Sequence, residues 1–453
     1  MLEVVILAAG EGKRMRSVQP KVLQPVGGRP MLAHLLETVR ALTPDCIHVV
    51  IGQGADAVQQ TFSGFNGRWV HQTERLGTGH ATLQAMPHID PQARVLVLPG
   101  DMPLVRPQTL QALLDEPADL SLLTFIADDP TGYGRILRDV QDRVVEIKEQ
   151  ADANAQEAMV KEVNSGVLVA QAGDLKRWLE GLVPQNTQGE YYLTDCIALA
   201  AGDGKRLSGV IADDPRELLG ANDRVQLAAL EVVWQARCRH ELLVAGAVLQ
   251  DPSSVYVYGK VAVGRDVVIG PNVYLYGEVS LGDGVLIGPG CVVKDSHLAS
   301  GTDLQPYSVL EGVITQGVAS IGPFARLRPD TELSDGVKVG NFVEIKKAHL
   351  GSNAKVNHLS YVGDATIGEG ANIGAGTITC NYDGANKHHT HIGAHAFIGS
   401  NTALVAPVRV GDNATIGAGS VINKDVADNQ LSLTRAPQKQ VEGWVRPKKD
   451  QHK

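Results

Sequence analysis

The chain has 453 residues, a formal net charge of −9, 49 glycines and only 4% aromatic residues. Such a length allows two to three domains, ordinary apolar content excludes a disordered chain, and acidity without a long basic run excludes nucleic acid as an expected partner. No apolar run approaches the roughly 18 residues of a membrane span. Glu3 stands where a leader would be basic, and the five scattered cysteines lack CxxC spacing; a cytoplasmic protein is expected.

In chain order, residues 4–9 (VVILAA) read as a strand buried on both faces, as in a parallel sheet. A glycine-bearing turn follows over 10–15. Short apolar runs recur at 47–51, 94–98 and 120–126, with helical stretches such as 31–42 between them. Alternation of this kind predicts a doubly wound, Rossmann-like α/β sheet with ligands at the strand C-terminal ends. The glycine turn lets backbone N–H groups approach a phosphate that Arg14 and Lys21 neutralise. It is neither GxxxxGK[ST] nor GxGxxG, so a plain turn remains the competing reading. Asp101 lies just past the run at 94–98, where an aspartate is usually a turn residue. Asn222-Asp223-Arg224 opens a long helix with Asn222 in the N-cap position. Val225, Ala228, Val232 and Ala236 form one apolar face of it; Leu227, Leu230, Trp234 and Cys238 form another, so both faces are expected to be packed. The expected division is 1–224, a helical linker over 225–250, and 251–453.

From Val263 onward an aliphatic–glycine pair recurs in a six-residue phase: Val263-Gly264, Ile269-Gly270, Leu281-Gly282, Ile287-Gly288, Ile367-Gly368, Ile373-Gly374, Ile392-Gly393, Ile398-Gly399, Val410-Gly411 and Ile416-Gly417. Six residues suit one short strand and a turn, so three units make a triangular coil. The aliphatic side chain points inward, and the next residue takes the turn. A parallel β-helix follows, stabilised coil upon coil. The phase breaks most strongly over 379–391, TCNYDGANKHHTH. A break must leave the coil as a loop, and loops on rigid scaffolds tend to carry function.

LAAGEGKRM with Pro20-Lys21 resembles the signature of nucleoside-diphosphate-sugar pyrophosphorylases. Gln72, LGTGH at 76–80, LPGDMPL at 98–104, Tyr133-Gly134-Arg135, Glu149, Asn164-Ser165-Gly166 and YYLTD at 191–195 follow in that family's order. FARLRP at 324–329, VGNFVEIKK at 339–347, HLSY at 358–361 and TITCNYDG at 377–384 resemble hexapeptide acetyltransferases. Together the halves resemble the family of bifunctional bacterial N-acetylglucosamine-1-phosphate uridylyltransferases and glucosamine-1-phosphate N-acetyltransferases. The resemblance implies a left-handed β-helix, although ordinary crossover rules favour the other hand.

It further implies that Leu7, Ala8, Ala9, Gly10, Lys21, Gln72, Gly77, Thr78, Gly134, Glu149, Asn164 and Asn222 bind UTP or the UDP-sugar. Mg²⁺ sits on Asp101 and Asn222, and Arg14 and Lys21 serve catalysis. In the acetyltransferase half it implies His358 as base, Glu344 as its orienting partner and Asn381 as a catalytic residue. A base is needed because a protonated amine cannot attack a thioester, and histidine titrates in the right range. Arg328 and Lys346 grip the sugar phosphate, with Tyr361 and Asn372 completing the pocket. Ala375, Asn381, Tyr382, Ser400, Ala418 and Arg435 contact acetyl-coenzyme A. Partners are the small-molecule substrates UTP, N-acetylglucosamine 1-phosphate, glucosamine 1-phosphate and acetyl-coenzyme A, and the chain itself as a homotrimer. Three positions depart from the family pattern: Pro99, where an aromatic is expected, and Glu11 and Lys13 in the first loop.

Two other readings are weighed against this one. In the first, a single-function sugar nucleotidyltransferase carries a structural or regulatory β-helix. In the second, the solenoid is a non-catalytic oligomerisation module. The joint presence of His358, Lys346 and Asn381 speaks against both.

Overall fold

The computed structural model describes residues 1–10 and 12–447. The chain divides into two compact units, Met1–Ala236 and the part from Arg237 onward.

The first unit is built on a mixed sheet. Its main order is Leu207–Ile211, Leu120–Ile126, Glu162–Gln171, Arg94–Pro99, Leu2–Leu7, Cys46–Ile51 and Arg68–His71. Alternation along the central strands explains why both faces are covered. Val4, Ile6, Leu96 and Leu98 join one core, while Val5, Val95 and Val97 join the other. Helix Met31–Arg40 closes the first core with Leu32, Leu35, Leu36 and Val39. Helices Thr78–Ala85 and Ala172–Glu180 close the second with Ala81, Ala85, Leu175, Trp178 and Leu179. Burial of such side chains supplies about 1.5–3 kcal/mol each relative to exposure.

One strand departs from the parallel expectation. Glu162–Gln171 runs antiparallel to both neighbours and bulges between Asn164 and Val167. At the bulge Gly166 has φ 82°, and a Cβ there would stand 2.9 Å from Pro99 Cγ. Pro99 therefore packs under the bulge. The short ring suits this closely approached backbone where a larger aromatic is expected.

The long helix spans Arg224–Val244, and its cap differs from expectation. Asp223 Oδ1, not Asn222, accepts the N–H groups of Val225 and Gln226, each at 2.9 Å. The cap thus leaves the Asn222 carboxamide oxygen available to another group. Only one of the two apolar faces is packed. Leu227 and Leu230 are buried, Trp234 sits edge-on to His34 at 4.4 Å, and Gly27 N–H donates to Glu231 at 2.7 Å. Val225 and Val232 are 81% and 66% exposed. Ala228 and Ala236 on the same face are exposed as well.

The second unit is a left-handed parallel β-helix. Each short strand pairs in parallel with its equivalent one coil later, as Tyr256 with Tyr274 and Val292 with Val309. The inward aliphatics stack as foreseen. One continuous column runs Leu249, Ile269, Ile287, Leu304, Ile321, Val339, Val356, Ile373, Ile398 and Ile416, all buried. Glycines follow many of these residues because coils touch there: a Cβ on Gly340 would lie 1.9 Å from the Asn357 carbonyl oxygen. The phase break leaves the coil as expected. Ile378 pairs with Tyr361 in the coil before and with Ala403 in the coil after, and the second of these steps is longer by the loop.

Candidate active sites

The first site is a cleft of about 460 Å³ at the C-terminal ends of the central strands. It collects residues from distant parts of the chain. Leu7, Ala8, Ala9 and Gly10 leave the first strand, and Lys21 follows. Gln72 follows the strand Arg68–His71, Gly77 and Thr78 come from the start of a helix, and Glu149 and Asn164 from the hairpin and bulge. Gly134 is buried beside Glu149: a Cβ on it would lie 3.4 Å from the carboxylate. Gln72 is fixed by its amide, which donates to the Gly77 carbonyl at 3.2 Å and lies 3.1 Å from His80 Nδ1. Thr78 Oγ1 accepts the Leu193 N–H at 3.1 Å.

Lys21 brings the two expected metal ligands together. Its Nζ donates to Asp101 Oδ2 at 2.7 Å and to Asn222 Oδ1 at 3.0 Å. Two hard oxygen donors so arranged suit Mg²⁺. Arg14 stands on the 3₁₀ turn Lys13–Met15, exposed and outside the cleft lining.

Charge in the cleft is tuned by burial. Desolvation pushes the Glu149 carboxyl above its usual range, opposed by a hydrogen bond from Thr194 Oγ1 at 3.0 Å. Asp195 is raised for the same reason. Burial pushes the Cys196 thiol up to about 12 and Cys291 to about 11, so both stay protonated.

The second site lies on a corner of the β-helix. Backbone hydrogen bonds place His358 directly over Ala375, Ser400 and Ala418 in successive coils: Gly376 N–H donates to His358 at 3.2 Å, Asn401 to Ala375 at 2.7 Å and Gly419 to Ser400 at 2.8 Å. Arg435 reaches the foot of this column, beside Gly417. One coil above His358 stands Asn341, whose Oδ1 lies 2.9 Å from His358 Nδ1. A carboxamide oxygen only accepts, so Nδ1 carries the proton and Nε2 keeps its lone pair. Ser360 secures the corner by donating to the His358 carbonyl at 2.8 Å.

Asn341 therefore makes the contact with the His358 ring that was expected of Glu344. The Glu344 carboxylate instead pairs with Arg328 Nη1 at 2.8 Å. These two are adjacent because Arg328 and Glu344 belong to neighbouring coils of one face. Tyr361 follows Glu344 in register, and Asn372 lies on the face that carries Val356 and Ile373.

The loop is latched by Asp383, which accepts the N–H groups of Ala385 at 2.8 Å and Asn386 at 2.6 Å and meets His388 Nε2 at 2.7 Å. These contacts hold its carboxyl far below the usual range, with the Asn386 N–H the largest cause. The buried Asn381 donates to Asp364, and the exposed Tyr382 donates to the Gly384 carbonyl at 2.6 Å. The latch also brings Lys387 against Lys346. Their amines crowd each other and push the Lys346 ammonium below the usual lysine range, with Arg328 adding to the effect. Two lysines beside Arg328, with Glu344 as the carboxylate paired to the cluster, leave net positive charge that suits a phosphate group.

Sequence reasoning missed Asn341 and Lys387. The first was legible, since it precedes His358 by one coil. The second was not, because the loop breaks the phase that locates everything else.

The geometry defines a class: a nucleotidyltransferase domain joined to a hexapeptide-repeat transferase. Residues 4–157 match the MobA-like NTP transferase domain, and residues 260–295 and 389–424 match the bacterial transferase hexapeptide family. The chain is 54% identical over 449 residues to the bifunctional protein GlmU of Stenotrophomonas maltophilia strain R551-3, and equally so to that of Xanthomonas oryzae pv. oryzae, with 99% of each chain covered. To that of Marinobacter nauticus it is 51% identical over 451 residues, again 99% of each chain.

The chain belongs to the bifunctional GlmU family. It is an enzyme with uridylyltransferase and acetyltransferase activities, which together make UDP-N-acetylglucosamine. The single-function alternative is set aside. No helix among the described residues is long and apolar enough to cross a membrane.

Two outcomes follow from the site geometry. Glu149→Gln raises the melting temperature of the ligand-free first unit at pH 8, because an ionised buried carboxylate disfavours the folded state. The gain closes as the pH falls through the carboxylate range, where wild-type Glu149 is protonated; thermal melts across pH 4–8 check it. Asn341→Ala lowers acetyl-transfer kcat about tenfold or more with KM for glucosamine 1-phosphate little changed, read by steady-state kinetics.

Proposed function

We propose that the second unit acetylates glucosamine 1-phosphate and the first couples its product to UTP, with the roles below. The carrying observation is the column His358–Ala375–Ser400–Ala418, which sets a base at the head of a groove lined by small residues. His358 Nε2 removes the proton from the attacking amine, and Asn341 holds the ring in the required tautomer. Arg328, Lys346 and Lys387 grip the sugar phosphate, which relieves the repulsion between the two lysines. Glu344 holds Arg328 in place. Tyr361, Asn372 and Asn381 frame the sugar. Acetyl-coenzyme A runs along the column past Tyr382, with its phosphates toward Arg435.

In the cleft, two anions must meet, so neutralisation dominates. Lys21 and Arg14 supply positive charge to the transferring phosphate. Gln72 and the backbone at Ala8–Gly10 read uracil; Thr78, Gly134, Glu149 and Asn164 read the sugar. Asp101 and Asn222 hold Mg²⁺, which when bound screens the phosphate charge and acts as a Lewis acid.

We also infer a cytoplasmic homotrimer. Free cysteines are in keeping with a reducing compartment. The trimer reading rests on an unusual stripe beside the His358 column. Tyr307, Phe324, Phe342 and Leu359 occupy the left-handed corner position of successive coils, with φ between 49° and 60°. They are 47–64% exposed, and the rings of Tyr307, Phe324 and Phe342 stack in sequence at 5.3 Å. Bulky residues pay about 1–2 kcal/mol for that conformation. A continuous apolar edge favours a second copy of the chain as its cover, which would seat neighbouring subunits against His358.

His358→Ala abolishes acetylation and leaves uridylyl transfer within about twofold of wild type, whereas Asp101→Ala does the reverse; each is measured in separate and coupled assays of UDP-N-acetylglucosamine formation. Equal loss of both activities in a folded variant refutes the division of labour. Light scattering gives three chain masses for the wild type, and Phe324→Glu/Phe342→Glu lowers that mass together with acetyltransferase activity. A wild-type monomer with full activity refutes the trimer.

A further inference from the structure

The cleft already holds a cation between the two oxygens assigned to the divalent ion. Lys21 Nζ is 2.7 Å from Asp101 Oδ2 and 3.0 Å from Asn222 Oδ1, and the Lys21 and Asp101 side chains are only 16% and 13% exposed. A divalent ion bridging the same oxygens needs the volume and the electrostatic role that the ammonium now fills. Mg²⁺ sits about 2.0–2.1 Å from its oxygens, so ammonium and ion exclude each other.

The surroundings are built to let one leave. Lys21 springs from a short 3₁₀ turn, Lys21–Leu23, whose neighbours Val22 and Leu23 are buried. Its root packs so closely on Gly12 that a Cβ there would lie 2.8 Å from Lys21 Cβ. The root is fixed, and the flexible stem beyond it lets the amine swing. On the other side, Asp223 takes over capping of the long helix, so Asn222 Oδ1 has Lys21 as its partner and nothing structural to lose when Lys21 moves. Lys21 also lines the nucleotide cleft, which gives the amine a second destination.

We propose that Lys21 is a placeholder for the metal: its ammonium occupies the Asp101–Asn222 pair in the resting enzyme and surrenders it only when the triphosphate draws the amine into the cleft. The resting enzyme then binds free divalent cation weakly, and the ion enters with the nucleotide or after it. The coupling is reciprocal, so bound metal also favours the amine position that serves the phosphate. The proposal rests on Asp101 and Asn222 being the metal pair and adds the order in which that pair becomes available.

Mn²⁺ alone is the probe, titrated into full-length protein without nucleotide and read by the electron paramagnetic resonance signal of the free ion. Wild type, Lys21→Met, Asp101→Asn and the double variant are compared, with circular dichroism as the check on folding. Removing one positive charge next to the ion strengthens Mn²⁺ binding by roughly tenfold or more in Lys21→Met, and Asp101→Asn abolishes the gain. Mn²⁺ also raises the melting temperature of Lys21→Met at concentrations that leave wild type unmoved. If Lys21→Met does not fold, Lys21→Gln serves in its place. Equal or undetectable binding by wild type and the Lys21 variant, with any binding present lost on Asp101→Asn, overturns the placeholder while leaving the metal pair standing. Tight binding that survives Asp101→Asn overturns the metal assignment and the proposal with it.

Discussion

Parallel hydrogen bonding between successive coils is the constraint from which the second unit follows. Each backbone segment is satisfied by its equivalent in the next coil, so a residue's height is fixed by its number and its face by its phase. Nothing else is needed to stack ten aliphatic side chains from Leu249 to Ile416 into one core. The same constraint sets His358 over Ala375, Ser400 and Ala418, and Asn341 over His358. The catalytic corner is therefore a property of the backbone ladder, and its side chains are chosen for what they offer at heights already decided.

The first unit works differently. Its cleft gathers residues far apart in sequence at the ends of strands that are buried on both faces. Precision comes from local devices: a bulge at Asn164–Val167, a proline packed under Gly166, and a helix capped by Asp223 so that its neighbour Asn222 is released. Burial sets the charge state here, as the raised Glu149 and Asp195 show. In the β-helix site the groups are more exposed, and charge is set by neighbours: Lys387 on Lys346 and the backbone on Asp383.

What was legible in the sequence depended on periodicity. The six-residue phase located the coils, the loop and the inward column, because the ladder permits one register only. Alternating apolar runs located the sheet strands, but not the reversed direction of Glu162–Gln171, since direction depends on the hairpin before it. The cap was misplaced by one residue because Asn222 and Asp223 are equally good caps by type; contact with Lys21 separates them. The long helix looked apolar on two sides, yet Val225 and Val232 are exposed. The contact of Glu344 with Arg328 was not legible, because the resemblance carried residue types and not side-chain contacts.

The column below His358 also measures length. Successive coils are spaced by the strand separation of about 4.8 Å, so three steps from His358 to Ala418 make a straight track of roughly 14 Å. With Arg435 at its foot, the track has a charged side chain at one end and the proposed base, His358, at the other. A donor that engages both must be long, narrow and anionic at its tail. A compact acyl phosphate carries the same reactive group but cannot reach from one end to the other. On the proposed reading the acyl carrier is selected by its reach, and the backbone repeat is the ruler.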